Sequence, residues 1–215
     1  MTDPYPRLPW RAAGSTLILA AILGWIGVIV RSHHGDAGLE RQLAEVGEAS
    51  ARELIAAGVW IVATMLFILS GVFTAIAAHA RRGQGAFIGA LLLAVGGAWI
   101  SAAPGAAAVV LHMLGTGDLG ASSISDLERA LEGDPAWLVT LPLMAAFVAA
   151  PVILALGLRT LRLSVGGGVA LTWIVSVVAA MVLYGDRTGE VIACGGMMVS
   201  HVLIGLALRR EGVAA

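Results

Sequence analysis

Six apolar runs, at about 14–30, 54–80, 86–113, 137–158, 164–184 and 190–208, carry no Asp, Glu, Lys or Arg in their central parts. Each is near or above the roughly 20 residues that a helix needs to cross a bilayer core. Backbone polar groups in lipid must be satisfied within the segment, so runs like these are read as helices and not as strands. Of the 215 residues, 59% are hydrophobic and 13% charged, and the mean hydropathy is +0.91. Soluble domains carry about 25% charged residues. The expectation is an all-α polytopic membrane protein, one domain over 1–215, built as a six-transmembrane-helix bundle.

The connections sort by charge. Arg7 and Arg11 precede the first span, Arg81 and Arg82 follow the second, Arg159 and Arg162 follow the fourth, and Arg209 and Arg210 follow the sixth. The other connections are acidic: Asp36, Glu40, Glu45, Glu48 and Glu53; Asp118, Asp126, Glu128, Glu132 and Asp134; Asp186 and Glu190, with Arg31, Arg41, Arg52, Arg129 and Arg187 diluting the contrast without reversing it. The positive-inside rule then puts both termini in the cytoplasm and the acidic loops outside. The first span is followed by "RSHHGD" and not by a small-residue cleavage site, so it reads as retained rather than as a signal peptide. The net charge is −1. That balance gives no electrostatic footprint for nucleic acid. The partners expected are the lipid bilayer and a protein partner or second copy, and the location is the cytoplasmic membrane of a bacterium. All 13 basic residues are Arg, which reads as the codon bias of a GC-rich genome.

Local signals refine the map. Ser125 and Glu128 make a capping-box pattern, and Asp134-Pro135 is a good start for the fourth span. Leu39, Leu43 and Val46 follow helical spacing. Two short amphipathic extracytoplasmic helices are therefore expected. Both contain a related phrase, "LERQLAE" at 39–45 and "LERALE" at 127–132, each followed by two spans joined by an Arg-bearing turn. This raises the question of an internal repeat. Pro104, Pro142 and Pro151 fall inside spans and are expected to bend them. Gly85 and Gly89 form a G-x-x-x-G packing motif.

The residues with the most chemistry lie in "ACGGMMVSH", 193–201. Cys194, Met198 and His201 are spaced i, i+4, i+7 and share a helix face, with Met197 beside them. Thiolate, thioether and imidazole suit a soft metal such as Cu(I), and His with Met is also a haem pair. His201 falls near mid-membrane, where an ionisable side chain marks a site by default. The simpler reading is packing. Gly195, Gly196 and Ser200 allow close helix approach, and His201 then bonds to Thr172 or Ser176 of the fifth span. No cofactor is favoured, with copper or haem as the alternatives. A bis-histidine haem is disfavoured because His112 and His79 lie at other depths; Met144, Met181 or Met65 could pair with His201 instead. A surface cluster of His33, His34, Asp36 and His112 is a weak Zn(II) or Cu(II) candidate. Uncharged span cores argue against ion-coupled transport. No G-x-S-x-G or H-E-x-x-H occurs, so no motif points to an enzyme, and a catalyst built on the outer face from Asp, Glu and His is the alternative left open. Three roles follow: a packing, interaction or accessory subunit; a metal- or haem-binding protein using Cys194, Met198 and His201; or a facilitator for a small apolar solute or lipid.

Overall fold

A computed structural model describes residues 8–31, 48, 50–115, 136–163, 165, 167–183 and 186–214. These residues form six helices and no strand: α1 Leu8–Val30, α2 Ser50–Ala80, α3 Gln84–Gly115, α4 Ala136–Thr160, α5 Gly167–Val182 and α6 Arg187–Ala214. Each expected span has its helix. The first begins six residues earlier than its apolar run, because Pro9 suits the start of a helix and Trp10 is buried there. The fifth is shorter, beginning at Gly167 and ending at Val182. Four described segments are long and apolar enough to cross a membrane: Pro9–Val30, Ala51–Ala80, Leu141–Thr160 and Arg187–Glu211. The stretches carrying the two LER phrases, the capping box and His33, His34 and Asp36 lie outside the described residues, as does the side chain of His112.

Each helix packs on its sequence neighbours, and α6 returns to α1, so the six close into a ring. The inside and outside of this ring reverse the habit of a soluble protein. Ala13, Ala20, Ala56, Ala63, Ala78, Ala86, Ala90 and Ala150 are fully buried, while Leu19, Ile55, Met65, Ile76, Leu171 and Val178 are exposed. In a membrane no hydrophobic force separates Leu from lipid, so small residues take the interfaces and large ones face outward. Gly85 and Gly89 do pack as the motif predicts, against Gly157 and Leu154 of α4. Gly14 of α1 meets Gly205 of α6, and Gly71 of α2 meets Ala90 and Ala94 of α3.

The two hairpin turns are built alike. In the first, Gly83 N–H bonds to Ala78 O at 2.9 Å and Arg82 N–H to His79 O at 2.9 Å; in the second, Leu163 N–H bonds to Leu158 O at 3.1 Å and Arg162 N–H to Arg159 O at 2.9 Å. This is the Schellman C-cap, whose left-handed residue is usually glycine. Here it is Arg82 (φ 55°) and Arg162 (φ 61°). The buried register repeats with the turns. Ser70, Gly71, Thr74, Ala75 and Ala78 of α2 match Ala150, Pro151, Leu154, Ala155 and Leu158 of α4. Ser200, His201, Ile204, Gly205 and Leu208 of α6 follow the same spacing. The bundle therefore contains three helix pairs of one register, α2–α3, α4–α5 and α6–α1, the last made from the two ends of the chain.

Polar groups within the ring are few and local. Thr16, Thr64, Thr172, Ser176 and Ser200 each donate back to the carbonyl four residues earlier, as membrane hydroxyls commonly do. Ser70 is different: its Oγ donates across to Ala13 O of α1 at 2.9 Å. Interhelical hydrogen bonds in membranes average about 0.6 kcal/mol. Ser70→Ala is therefore expected to lower stability by about 0.5–1 kcal/mol, read from unfolding in detergent micelles. A loss above about 2 kcal/mol would show that the bond does more than this.

Both ends of α1 are tied by arginine. At the end carrying the hairpin turns, Arg81 pairs with Glu211 and lies 5.4 Å over the Trp10 ring. At the opposite end, Arg52 Nε donates to Val30 O at 2.9 Å and Arg187 Nη2 to Ile29 O at 3.0 Å. Those are the carbonyls a helix C-terminus leaves without partners. Arg31, one residue further, pairs with Glu190 at the start of α6.

Candidate functional site

A cavity of about 250 Å³ opens inside the ring, in the half of the bundle that ends at Arg31. Helix α1 supplies Ala21, Gly24, Trp25, Val28 and Arg31 to its wall; α2 supplies Trp60 and Phe67; α4 supplies Phe147. The wall from α6 is Cys194, Met197, Met198 and His201. The three residues singled out by sequence, Cys194, Met198 and His201, thus line one space, and Met197 joins them. From Glu190 to His201 the helix rises about 16 Å, about half the thickness of a bilayer core.

His201 is buried, at 2% exposure. Three rings surround it: Trp173 at 4.8 Å and Phe67 at 5.3 Å between centroids, both edge-on, and Phe147 at 6.4 Å, nearly parallel. Its Nδ1 lies 3.0 Å from Met197 O. A carbonyl only accepts, so this contact requires the proton on Nδ1. Nε2 of the neutral ring is then a bare lone pair. It is buried and has no hydrogen-bond partner among the described residues. The same arrangement, with one ring nitrogen tied to a backbone carbonyl, orients histidines that use the other nitrogen as a ligand.

The bond to Thr172 or Ser176 expected from the sequence is not made. Ser176 Oγ donates to Thr172 O at 2.7 Å and Thr172 Oγ1 to Gly168 O at 2.8 Å. Each hydroxyl finds a carbonyl of its own helix closer than any neighbouring ring. Met65, Met144 and Met181 are not partners for His201 either; they are 59%, 46% and 65% exposed, on the outer surface of the ring. The methionines beside His201 are Met197 and Met198, from its own helix. The glycines do serve packing: Gly195 faces the Trp25 indole and Gly196 faces Ser176. Gly195 thus packs on a residue of the cavity wall, while Gly196 packs on α5. His79 lies near the hairpin turn, tilted against Phe87 with centroids 5.7 Å apart, far from His201 along the bundle. Among the described residues no three His, Cys, Asp or Glu side chains gather as metal ligands.

Sequence reading missed the aromatic walls. Trp25 Nε1 donates to Val191 O at 3.0 Å, joining α1 to α6 across the cavity mouth. Trp60 packs its indole on Gly27, where any side chain would collide. Phe67 and Phe147 hold equivalent places in α2 and α4, eleven residues before the matching cap residues Ala78 and Leu158. That equal spacing was the one signal available. Buried carboxylates were missed too: Glu53 is at 0% exposure and Glu190 at 8%, both at the helix ends opposite the hairpin turns.

Beyond His201 the described interior is packed with side chains. Leu17, Leu93, Leu154, Leu158, Ile204 and Leu208 are all at 0% exposure and fill the half that carries the hairpin turns. The cavity is a blind pit with an ion pair near its mouth, aromatic sides and an imidazole at its deepest point. No family model, curated protein or solved structure matches this chain.

Proposed function

We propose that this integral membrane protein crosses the cytoplasmic membrane six times, with both termini inside, and acts as an accessory subunit that binds a small, mainly apolar molecule in the outer half of the bundle. The observation that carries the reading is His201 Nε2, a lone pair held without a partner at the bottom of an aromatic-walled cavity. Leaving such a group unsatisfied costs about 1–3 kcal/mol. A ligand with one hydrogen-bond donor, such as an alcohol or a phenol, recovers that cost. Trp60, Phe67 and Phe147 cover its apolar part, and Met197 and Met198 adapt to its shape. The orientation is supported by the arginine-rich hairpin turns at one end and the acidic connections at the other. The leucine-filled inner half weighs against a facilitator. The volume of about 250 Å³ weighs against haem, since sites for drug-sized ligands start near 300 Å³.

Trp25 and Trp60 line the cavity, so their fluorescence is a built-in readout. Cyclohexanol is expected to change it saturably, and cyclohexane to bind about tenfold more weakly for want of the hydrogen bond. His201→Phe is expected to erase that preference while leaving the unliganded protein as stable or about 1 kcal/mol more stable, because an apolar ring replaces an unpaired nitrogen. Equal binding of alcohol and hydrocarbon by the native protein would sink the reading.

A second reading rests on the donor set. Met197, Met198 and Cys194 put three sulfur atoms on the same wall as His201, and these are ligands for Cu(I). It predicts one Cu(I) held against a chelator such as bicinchoninate, lost in His201→Phe and weakened in Met198→Leu. Failure to retain Cu(I) would leave the small-molecule reading alone.

A further inference from the structure

At the other end of the bundle a larger groove, about 810 Å³, runs along the outside of the α2–α3 hairpin. Its floor is apolar, with Val72, Ile76, Phe87 and Leu91, and its end is basic, with His79 and Arg82. From Arg82 back to Val72 the helix rises about 15 Å, the depth of one leaflet's hydrocarbon.

The two arginines of this turn have different duties. Arg81 is engaged, with Glu211 and with the Trp10 ring. Arg82 is exposed, and its side chain has no ion pair or hydrogen bond among the described residues. It also occupies the left-handed cap position at φ 55°. A non-glycine residue there costs about 1–2 kcal/mol, and glycine would remove the cost. Arg162 holds the same left-handed position in the other hairpin turn; what sets Arg82 apart is the apolar groove it borders, with His79 beside it.

We propose that this groove binds an anionic phospholipid of the inner leaflet, with Arg82 and His79 on the headgroup phosphate and an acyl chain along Ile76, Phe87 and Leu91. Charge complementarity selects the occupant. The groove lies on the arginine-bearing face, and basic pockets between helices on the cytoplasmic side suit anionic headgroups. A zwitterionic lipid fills the same apolar floor and offers the same phosphate, but its ammonium opposes the cation and cuts the gain.

The test uses the full-length protein in phosphatidylcholine vesicles doped with photoactivatable phosphatidylglycerol or photoactivatable phosphatidylcholine. Crosslinks are mapped to peptides spanning 72–91. The phosphatidylglycerol probe is expected to label this stretch at least about fivefold more than the phosphatidylcholine probe, in line with about 1 kcal/mol for one basic residue at an anionic surface. Arg82→Gly relaxes the backbone while deleting the cation, so it folds at least as well as the native chain. It is expected to bring the two probes level. Unlabelled phosphatidylglycerol should compete and inorganic phosphate should not. Equal labelling of the native protein by both probes, a preference that survives Arg82→Gly, or competition by inorganic phosphate would each overturn the proposal.

Discussion

Trp173→Ala is expected to destabilise the protein by about 3–5 kcal/mol, the range for removing a buried indole. Trp173 is fully buried and is the largest such side chain among the described residues. It fills the space between α4, α5 and α6, edge-on to Phe147 at 5.1 Å and to His201 at 4.8 Å. Its Nε1 also donates to Val148 O at 2.8 Å. That carbonyl adjoins Phe147 O, the one that Pro151 leaves without a helical N–H, so the indole ties α5 to α4 beside the break. Trp173→Phe keeps most of the volume and loses the bond, so it should cost only about 1 kcal/mol. The comparison is made by unfolding both variants in detergent micelles. If they behave alike, volume is not what Trp173 supplies. Trp173→Ala should also loosen His201 and weaken cyclohexanol binding, because the ring behind the imidazole is gone.

Gly157→Val is expected to lose the native bundle altogether, or at least about 3 kcal/mol of stability. A Cβ on Gly157 would fall within the backbone of Gly85 and Ala86, 2.7 Å from Ala86 Cα. Backbone on a facing helix cannot swing aside as a side-chain tip does, so α3 and α4 would have to separate. Gly58 is the matched control, since a Cβ there meets nothing within 4 Å. Gly58→Val should leave yield and unfolding nearly unchanged. Equal behaviour of the two variants would mean that the α3–α4 contact is not a close one.

The helices themselves were readable because the signal is one of composition. A long uncharged apolar run must satisfy its backbone internally, whatever surrounds it. Ser70, Phe67 and Trp173 were not readable in the same way. Their helices are apolar all round, so no periodic stripe separates the side facing the ring from the side facing lipid. In a soluble helix that stripe exists because water rejects apolar groups; lipid does not. Small residues carried the residual signal, which is why the Gly85–Gly89 contact could be foreseen. The proposed bond from His201 to Thr172 or Ser176 failed for a related reason. Hydroxyls in helices bond back to their own carbonyls, and sequence does not show which neighbour a ring will face.

The chain by itself determined the number of apolar helices, the charge contrast between their ends and the shared face of Cys194, Met198 and His201. These follow from residue type and from the 3.6-residue period of a helix. Only the tertiary structure decided that α6 closes on α1, that Phe67, Phe147 and Trp173 converge on His201, and that Nε2 is left bare. Those contacts join residues from helices far apart in the chain. They depend on which small residues let two backbones approach, and that is settled by shape across an interface rather than by any pattern along one helix.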